Sequence, residues 1–412
     1  VAVVTRRIGL SLGADLCWPL CFEHLVKRLN LSVPAGGDTV RFEVERVAIQ
    51  PFNLREPVGY DVVVDRLTHW MHSQREWIKK GLLMDGLYVF NNPWSVQANE
   101  KHTSYAAMMK LGMPIPETWM LPAKAYGEDQ VDAKVTLKRY AKLFDLKTIG
   151  EKLGFPFFMK PYDGGGWRNV TRVKTAKEAW TAYDESGKSV MHVQASVEGY
   201  DAFVRTIGFG PQTRMVSYAP DAPLHDRYTQ KVDFLPKAEA EHLRKVTLTI
   251  NAFFGWDFNS CESLRKNGVW HPIDFANPCP DSQVTSLHFH FPWLVKSYVK
   301  WTLFCAATKR PFRKNLDWQP FYDVAAMELP YLEKLDRYAK IADERFETAR
   351  FDEFCAKELK HLDAEAFEFF ATNEAKEAVR LKVAALFPAH EVEKFTELFW
   401  QRIQAWRAAG CP

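Results

Sequence analysis

Lys160 closes an apolar run, Phe157, Phe158 and Met159, and is followed by Pro161 and then by Gly164, Gly165 and Gly166. Glycines let backbone N–H groups come close to anionic oxygens, and a lysine ammonium adds a compact positive charge. Much further along the chain stand Glu262, Asp274 and Asn277. Two carboxylates and an amide are hard oxygen donors of the kind Mg²⁺ prefers. Between them lies Arg265-Lys266-Asn267-Gly268, whose Asn-Gly pair is a strong hairpin signal. A turn there would fold the two acids together. A lysine, a glycine loop and converging acids suit a nucleoside triphosphate with its divalent cation. One spacing is awkward, because Phe275 and Ala276 both separate Asp274 from Asn277. On a strand that count sends the two side chains to opposite faces, unless a bulge near Ala276 corrects it.

The elements that must hold these residues fall into three stretches. Residues 1–97 read as an α/β domain, with strands expected over 2–12, 42–49, 60–65 and 86–90 and a helix over 19–29. Asn99 is placed to cap a helix that Gly112 ends, and Pro114 and Pro116 force an extended exit into 118–121. Another helix is expected over 136–144. Strands follow over 155–160, 168–173, 190–195, 202–208, 213–218 and 268–275, interrupted by a helix over 236–254. That pattern is an α+β domain, 98–319, built on an antiparallel sheet with a flexible lid near 163–167. From 320 to 412, Leu329, Leu332, Leu335, Tyr338 and Ile341 recur at helical spacing. This last stretch reads as an all-helical appendage, able to pack on a second copy, on a protein partner or over a substrate pocket.

Composition narrows the classes. The chain has 412 residues, too many for one ordinary core. Its net charge of +3 argues against a dedicated nucleic-acid binder. No apolar run is long enough to span a bilayer, so no membrane partner is expected. The apolar start is interrupted by Asp15 and reads as a buried first strand, not a signal peptide. Seven scattered cysteines without a Cys-x-x-Cys pair fit reduced thiols in a cytoplasmic protein. His288 and His290 alternate with Leu287 and Phe289 as if on a strand, where a polar edge or substrate contact is expected before a metal. His69, Trp70 and His72 could line a substrate pocket at a loop end of the first domain.

Four segments, 99–121, 155–170, 190–210 and 259–281, together resemble the ATP-grasp family, in the family's order, over 98–285. The resemblance implies an ATP-grasp fold, preceded here by the α/β domain and followed by the helical region. It implies that Lys101 and Lys160 reach the nucleotide phosphates while Gly164, Gly165 and Gly166 form a lid over them. Gln194, Ser196 and Val197 would edge the adenine, and Asp201 would accept the ribose hydroxyls. Glu262, Asp274 and Asn277 would hold Mg²⁺, with Mn²⁺ an acceptable substitute. Of Arg227, Arg205 and Arg214, one would stabilise an acyl phosphate. Arg227 is favoured because a loop can enter the site, whereas the strand arginines can face solvent. The implied activity is ATP-dependent joining of a small-molecule or peptide carboxylate to an amine through an acyl phosphate. A kinase of a small hydroxylated substrate, or a non-catalytic nucleotide-binding scaffold, would use the same residues.

Overall fold

The computed structural model describes residues 2–48, 50–67, 71–97, 100–126, 135, 144–162, 169–277, 279–313 and 315–410. The expected helix over 136–144, apart from its last residue, lies outside them, as do Asn99, His69, Trp70 and the glycines Gly164, Gly165 and Gly166.

Strands β1 (Val3–Ser11), β2 (Val33–Ala35), β3 (Asp38–Arg46), β4 (Val62–Asp65) and β5 (Tyr88–Phe90) form one sheet in the order β2-β3-β1-β4-β5. Its β3, β1, β4 and β5 are parallel, and β2 is an antiparallel edge. The edge strand was not foreseen. Its three residues include Pro34, and the turn after it depends on Gly36 and Gly37, both with positive φ.

Two four-stranded antiparallel sheets follow. The first contains β6 (Thr118–Leu121), β7 (Phe157–Pro161), β8 (Thr171–Val173) and β9 (Met191–Ala195), in the order β6-β9-β7-β8. The second contains β10 (Ala202–Phe209), β11 (Gln212–Ser217), β12 (Phe258–Lys266) and β13 (Val269–Asp274), in the order β11-β10-β12-β13. Helix Lys101–Lys110 leads into β6, and helix Lys237–Phe254 lies between β11 and β12. Gly112, at φ +87°, follows the end of the first of these helices, as its position in the sequence suggested.

The histidine pair corrects one expectation. Residues 288–290 form a single 3₁₀ turn, not a strand, and run directly into helix Phe291–Ala307. That helix is buried on nearly every side, with Tyr298 and Trp301 fully enclosed. A helix apolar all round has no polar stripe to announce it, and this one was missed for that reason. It packs against the first sheet and against the C-terminal helices. A single apolar core therefore runs from Ile8 and Leu10, through Phe258 and Tyr298, to Phe399 and Trp406. The C-terminal region is all-helical as expected, and its helices, from Gln319–Ala326 to Val392–Ala408, contribute to that core. The sheet β6-β9-β7-β8 has its own smaller core, centred on Phe157, Met159 and Val193. No helix among the described residues is long and apolar enough to cross a membrane, and none of the six described cysteines is in a disulfide.

Candidate active site

The two antiparallel sheets face a cavity of about 1390 Å³. On one side, Lys160 near the end of β7 is buried and donates to Gln194 Oε1 at 2.9 Å. Gln194 is fixed in turn, its amide nitrogen donating to Thr118 Oγ1 at 3.1 Å. Helix Lys101–Lys110 starts against the end of the same strand, since the Lys101 backbone N–H donates to the Tyr162 carbonyl at 3.0 Å. That contact puts the Lys101 side chain beside the acids of the second sheet, where it pairs with Asp274 Oδ2.

On the other side, antiparallel register aligns three functional residues in one row. Arg205 on β10 lies opposite Glu262 on β12, and Glu262 lies opposite Asp274 on β13. Side chains in such a row share a sheet face. Arg205 Nη1 is 3.8 Å from Glu262 Oε1 and also meets the Tyr228 hydroxyl, and Nη2 donates to Ser260 Oγ at 3.0 Å. The hairpin turn at Asn267-Gly268 is present, with both residues at positive φ.

A bulge is present, but not near Ala276. The register shifts where Glu262 pairs with Asp274 while Ser263 pairs with Pro272, which leaves Ile273 as the extra residue. The Ile273 carbonyl, released from the ladder, accepts from Tyr105 OH at 2.7 Å and from Lys160 Nζ at 3.3 Å. Asn277 reaches the cavity by another route. The chain leaves the sheet after Asp274, and Asn259 clamps the segment by donating to the Phe275 carbonyl at 2.8 Å and accepting from Asn277 N at 3.0 Å. The Asn277 side-chain nitrogen donates to the Ser260 carbonyl at 3.3 Å, and the residue lines the cavity with Glu262 and Asp274. Beyond the strand, face alternation no longer applies.

Electrostatics follow from burial. Desolvation pushes the Lys160 ammonium down to about 8, while nearby Asp274 works against the shift. Burial raises the Glu262 carboxyl, with Arg205 opposing and Asp274 reinforcing. Burial would lower Arg205, but Tyr228 and Glu262 hold it above the ordinary arginine value. His192, opposite Lys160 on β9, is driven well below the usual histidine range by burial and then by the two lysines, so it stays neutral at physiological pH.

Other expected residues are placed as follows. Ser196 and Val197 line the cavity, and Val197 belongs to an apolar cluster with Phe203 and Leu264. Asp201 does not line it, because its carboxylate accepts from Arg265 Nε at 2.8 Å. Arg227 lines the cavity, its Nε donating to the Ala222 carbonyl at 3.2 Å. Arg214 lies apart, donating to His290 Nδ1 at 3.3 Å. The expectation that the strand arginines face solvent fails for Arg205, whose side chain is 13% exposed, while Arg214 is half-buried and bonded to His290. Tyr228 and Ser260, which hold Arg205, were not foreseen. Tyr228 adjoins Arg227 in the sequence, which was its only signal.

Hard oxygen ligation fits this site on one specific observation: Asp274 Oδ1 is buried and has no hydrogen-bond partner. Among the described residues no group of three His, Cys, Asp or Glu side chains gathers to form a complete metal cage. Two acids and an amide suffice where phosphate oxygens and water complete a Mg²⁺ shell.

No protein-family model and no curated relative matches the sequence. Among solved structures, the chain is similar to a RimK-domain ATP-grasp protein of Sphaerobacter thermophilus, with a TM-score of 0.45 and 13% identity over 67% of this chain and 92% of that one. It is similar to D-alanine–D-alanine ligase of Bacillus anthracis complexed with ATP, with a TM-score of 0.45 and 15% identity over 84% of this chain and 99% of that one. It is also similar to carboxyaminoimidazole ribonucleotide synthase of Aspergillus clavatus complexed with ATP, with a TM-score of 0.44 and 13% identity over 66% and 69%.

Proposed function

We propose that this chain is an ATP-dependent ligase of the ATP-grasp type that joins a carboxylate to an amine. One observation carries the reading: Lys101, Lys160, Arg205, Glu262 and Asp274, scattered along the sequence, line a single cavity. Lys101 and Lys160 take the nucleotide phosphates, giving up their present partners Asp274 and Gln194. The apolar cluster of Val197, Phe203 and Leu264 offers a surface for a flat base. Asp201 reaches a ribose only after releasing Arg265.

Glu262, Asp274 and Asn277 would hold Mg²⁺, which neutralises phosphate charge when bound. A substrate carboxylate oxygen attacks the γ-phosphorus as the bond to the ADP oxygen breaks, giving an acyl phosphate and ADP. The amine nitrogen then attacks the acyl carbonyl, phosphate leaves, and the nitrogen loses its proton. No side-chain nucleophile is needed. Arg205, held by Tyr228 and Ser260, and Arg227 on its loop neutralise the transferring phosphoryl oxygens.

The test is Mg²⁺-dependent ADP release with paired acids and amines, in the wild type and in Glu262→Gln and Asp274→Asn. Both variants are expected to keep the fold by circular dichroism and to lose turnover. Full activity in both would remove the assignment. Recovery of a phosphorylated substrate in place of an amide and free phosphate would identify a kinase.

A further inference from the structure

The cavity does not end at the nucleotide residues. Contacts lead step by step from Gln194 to Lys160, on to the Ile273 carbonyl beside Asp274, across the strand pair to Glu262 and Arg205, and on to Tyr228. Next to Tyr228 and Arg227 is the 3₁₀ turn Leu224–Asp226. Helix Val392–Ala408 grips that turn, with Arg402 donating to the His225 carbonyl and to Asp226. The His225 ring meets Phe395 edge-on at 5.6 Å, and Phe395 packs on Phe387 at 4.2 Å between ring centroids. The C-terminal helices thus bring Leu386 and Phe387 into the same cavity that holds the acids.

This wall is apolar and uncovered. Leu224 is 73% exposed and Leu386 is 56% exposed, and both line the cavity that also holds Arg227, Arg205 and the two acids. Leucines left in water beside a charged site are a loss that a bound hydrocarbon would offset. Arg227 lines the cavity near them and supplies the charge that a carboxylate needs.

Resting on the ligase reading above, we propose that the C-terminal helices build the acid-substrate subsite, and that it takes a carboxylic acid bearing an apolar side chain. The carboxylate faces Arg227, and the hydrocarbon lies against Leu224, Leu386 and Phe387. The subsite joins parts of the chain far apart in sequence, so this region selects the substrate instead of merely capping the fold.

The experiment uses the full chain with Mg-ATP and hydroxylamine, which captures an activated acid as its hydroxamate whatever the natural amine. Leucine, valine and phenylalanine are compared with serine, aspartate and lysine. Binding of Mg-ATP is measured separately by calorimetry. Apolar acids are expected to give about tenfold more hydroxamate and ADP at subsaturating concentration, the scale of discrimination a hydrophobic pocket supplies. Leu386→Lys, an exposed and therefore foldable change, is expected to erase that preference and to favour aspartate. Equal or better turnover of the polar acids, an unchanged preference in Leu386→Lys, or no hydroxamate from any acid while Mg-ATP binds would each overturn the proposal. Failure of Mg-ATP to bind would instead remove the nucleotide reading, and this subsite with it.

Discussion

The two sheets that enclose the cavity are anchored very differently. Sheet β11-β10-β12-β13 shares one apolar core with the N-terminal parallel sheet, the buried helix Phe291–Ala307 and the C-terminal helices. Sheet β6-β9-β7-β8 has a separate, smaller core. The first carries Arg205, Glu262 and Asp274; the second carries Lys160 and Gln194. Polar contacts join the two faces, among them Lys160 to the Ile273 carbonyl and Lys101 to Asp274. A nucleotide would compete for both lysines. From this difference we propose a division of labour, with the reacting groups on the half tied into the large core, the more rigid one, and the phosphate-gripping Lys160 on the half with the smaller core, the one freer to move.

The largest effect should come from the rigid half. Glu262→Gln and Asp274→Asn are expected to lower the maximal rate of ADP release about 10²–10³-fold, the scale of a lost electrostatic stabiliser. Steady-state kinetics at saturating Mg-ATP measure it. A purely weakened ATP affinity would break the proposed division.

The rigid half also has a pH signature. Asp257 is buried between Tyr88, which donates to it at 2.9 Å, and Trp301, which donates at 3.1 Å, and burial raises its carboxyl to about 6. The folded state therefore holds a proton that the unfolded state has lost between about pH 4 and 6, so this group costs stability as pH rises through that window and is neutral below it. Asp257→Asn, which keeps an acceptor for both donors, is expected to remove a pH-dependent loss of roughly 3 kcal/mol. Urea unfolding of both proteins at about pH 4 and pH 7 tests it. Parallel pH profiles would show that Asp257 does not titrate in the core.

On the freer half, Lys160→Met is expected to weaken ATP binding about 10–100-fold, with a smaller effect on the maximal rate. Calorimetric titration with a non-hydrolysable nucleotide separates the two. An unchanged dissociation constant would place the phosphates elsewhere. The smallest effect should come from the clamp on the Arg227 loop. Arg402→Ala is expected to raise the KM for the acid several-fold, with Arg402→Lys restoring part of it. A fall in thermal stability without any change in KM would reduce Arg402 to a structural role.

Several of the residues that line the cavity were legible in the sequence because their signals are local. A strand ending in Lys160 and an Asn-Gly turn between two acids each declare themselves within a few residues. The misses are cases where a neighbour distant in sequence decides. Arg265 takes Asp201, His290 takes Arg214, and Asn259 redirects the chain that carries Asn277. Helix Phe291–Ala307 escaped because burial on every side removes the polar stripe on which periodicity depends.

By itself, then, the amino-acid order determined which residues can carry charge or ligate through oxygen, and which strands and turns hold them, since these depend on side-chain chemistry and backbone preference over short spans. Only the tertiary structure decided the cross-strand row of Arg205, Glu262 and Asp274, the bulge at Ile273, and the entry of Leu386 and Phe387 into the cavity. Register and long-range packing minimise the free energy of the whole chain, and no local window contains both partners of such a contact.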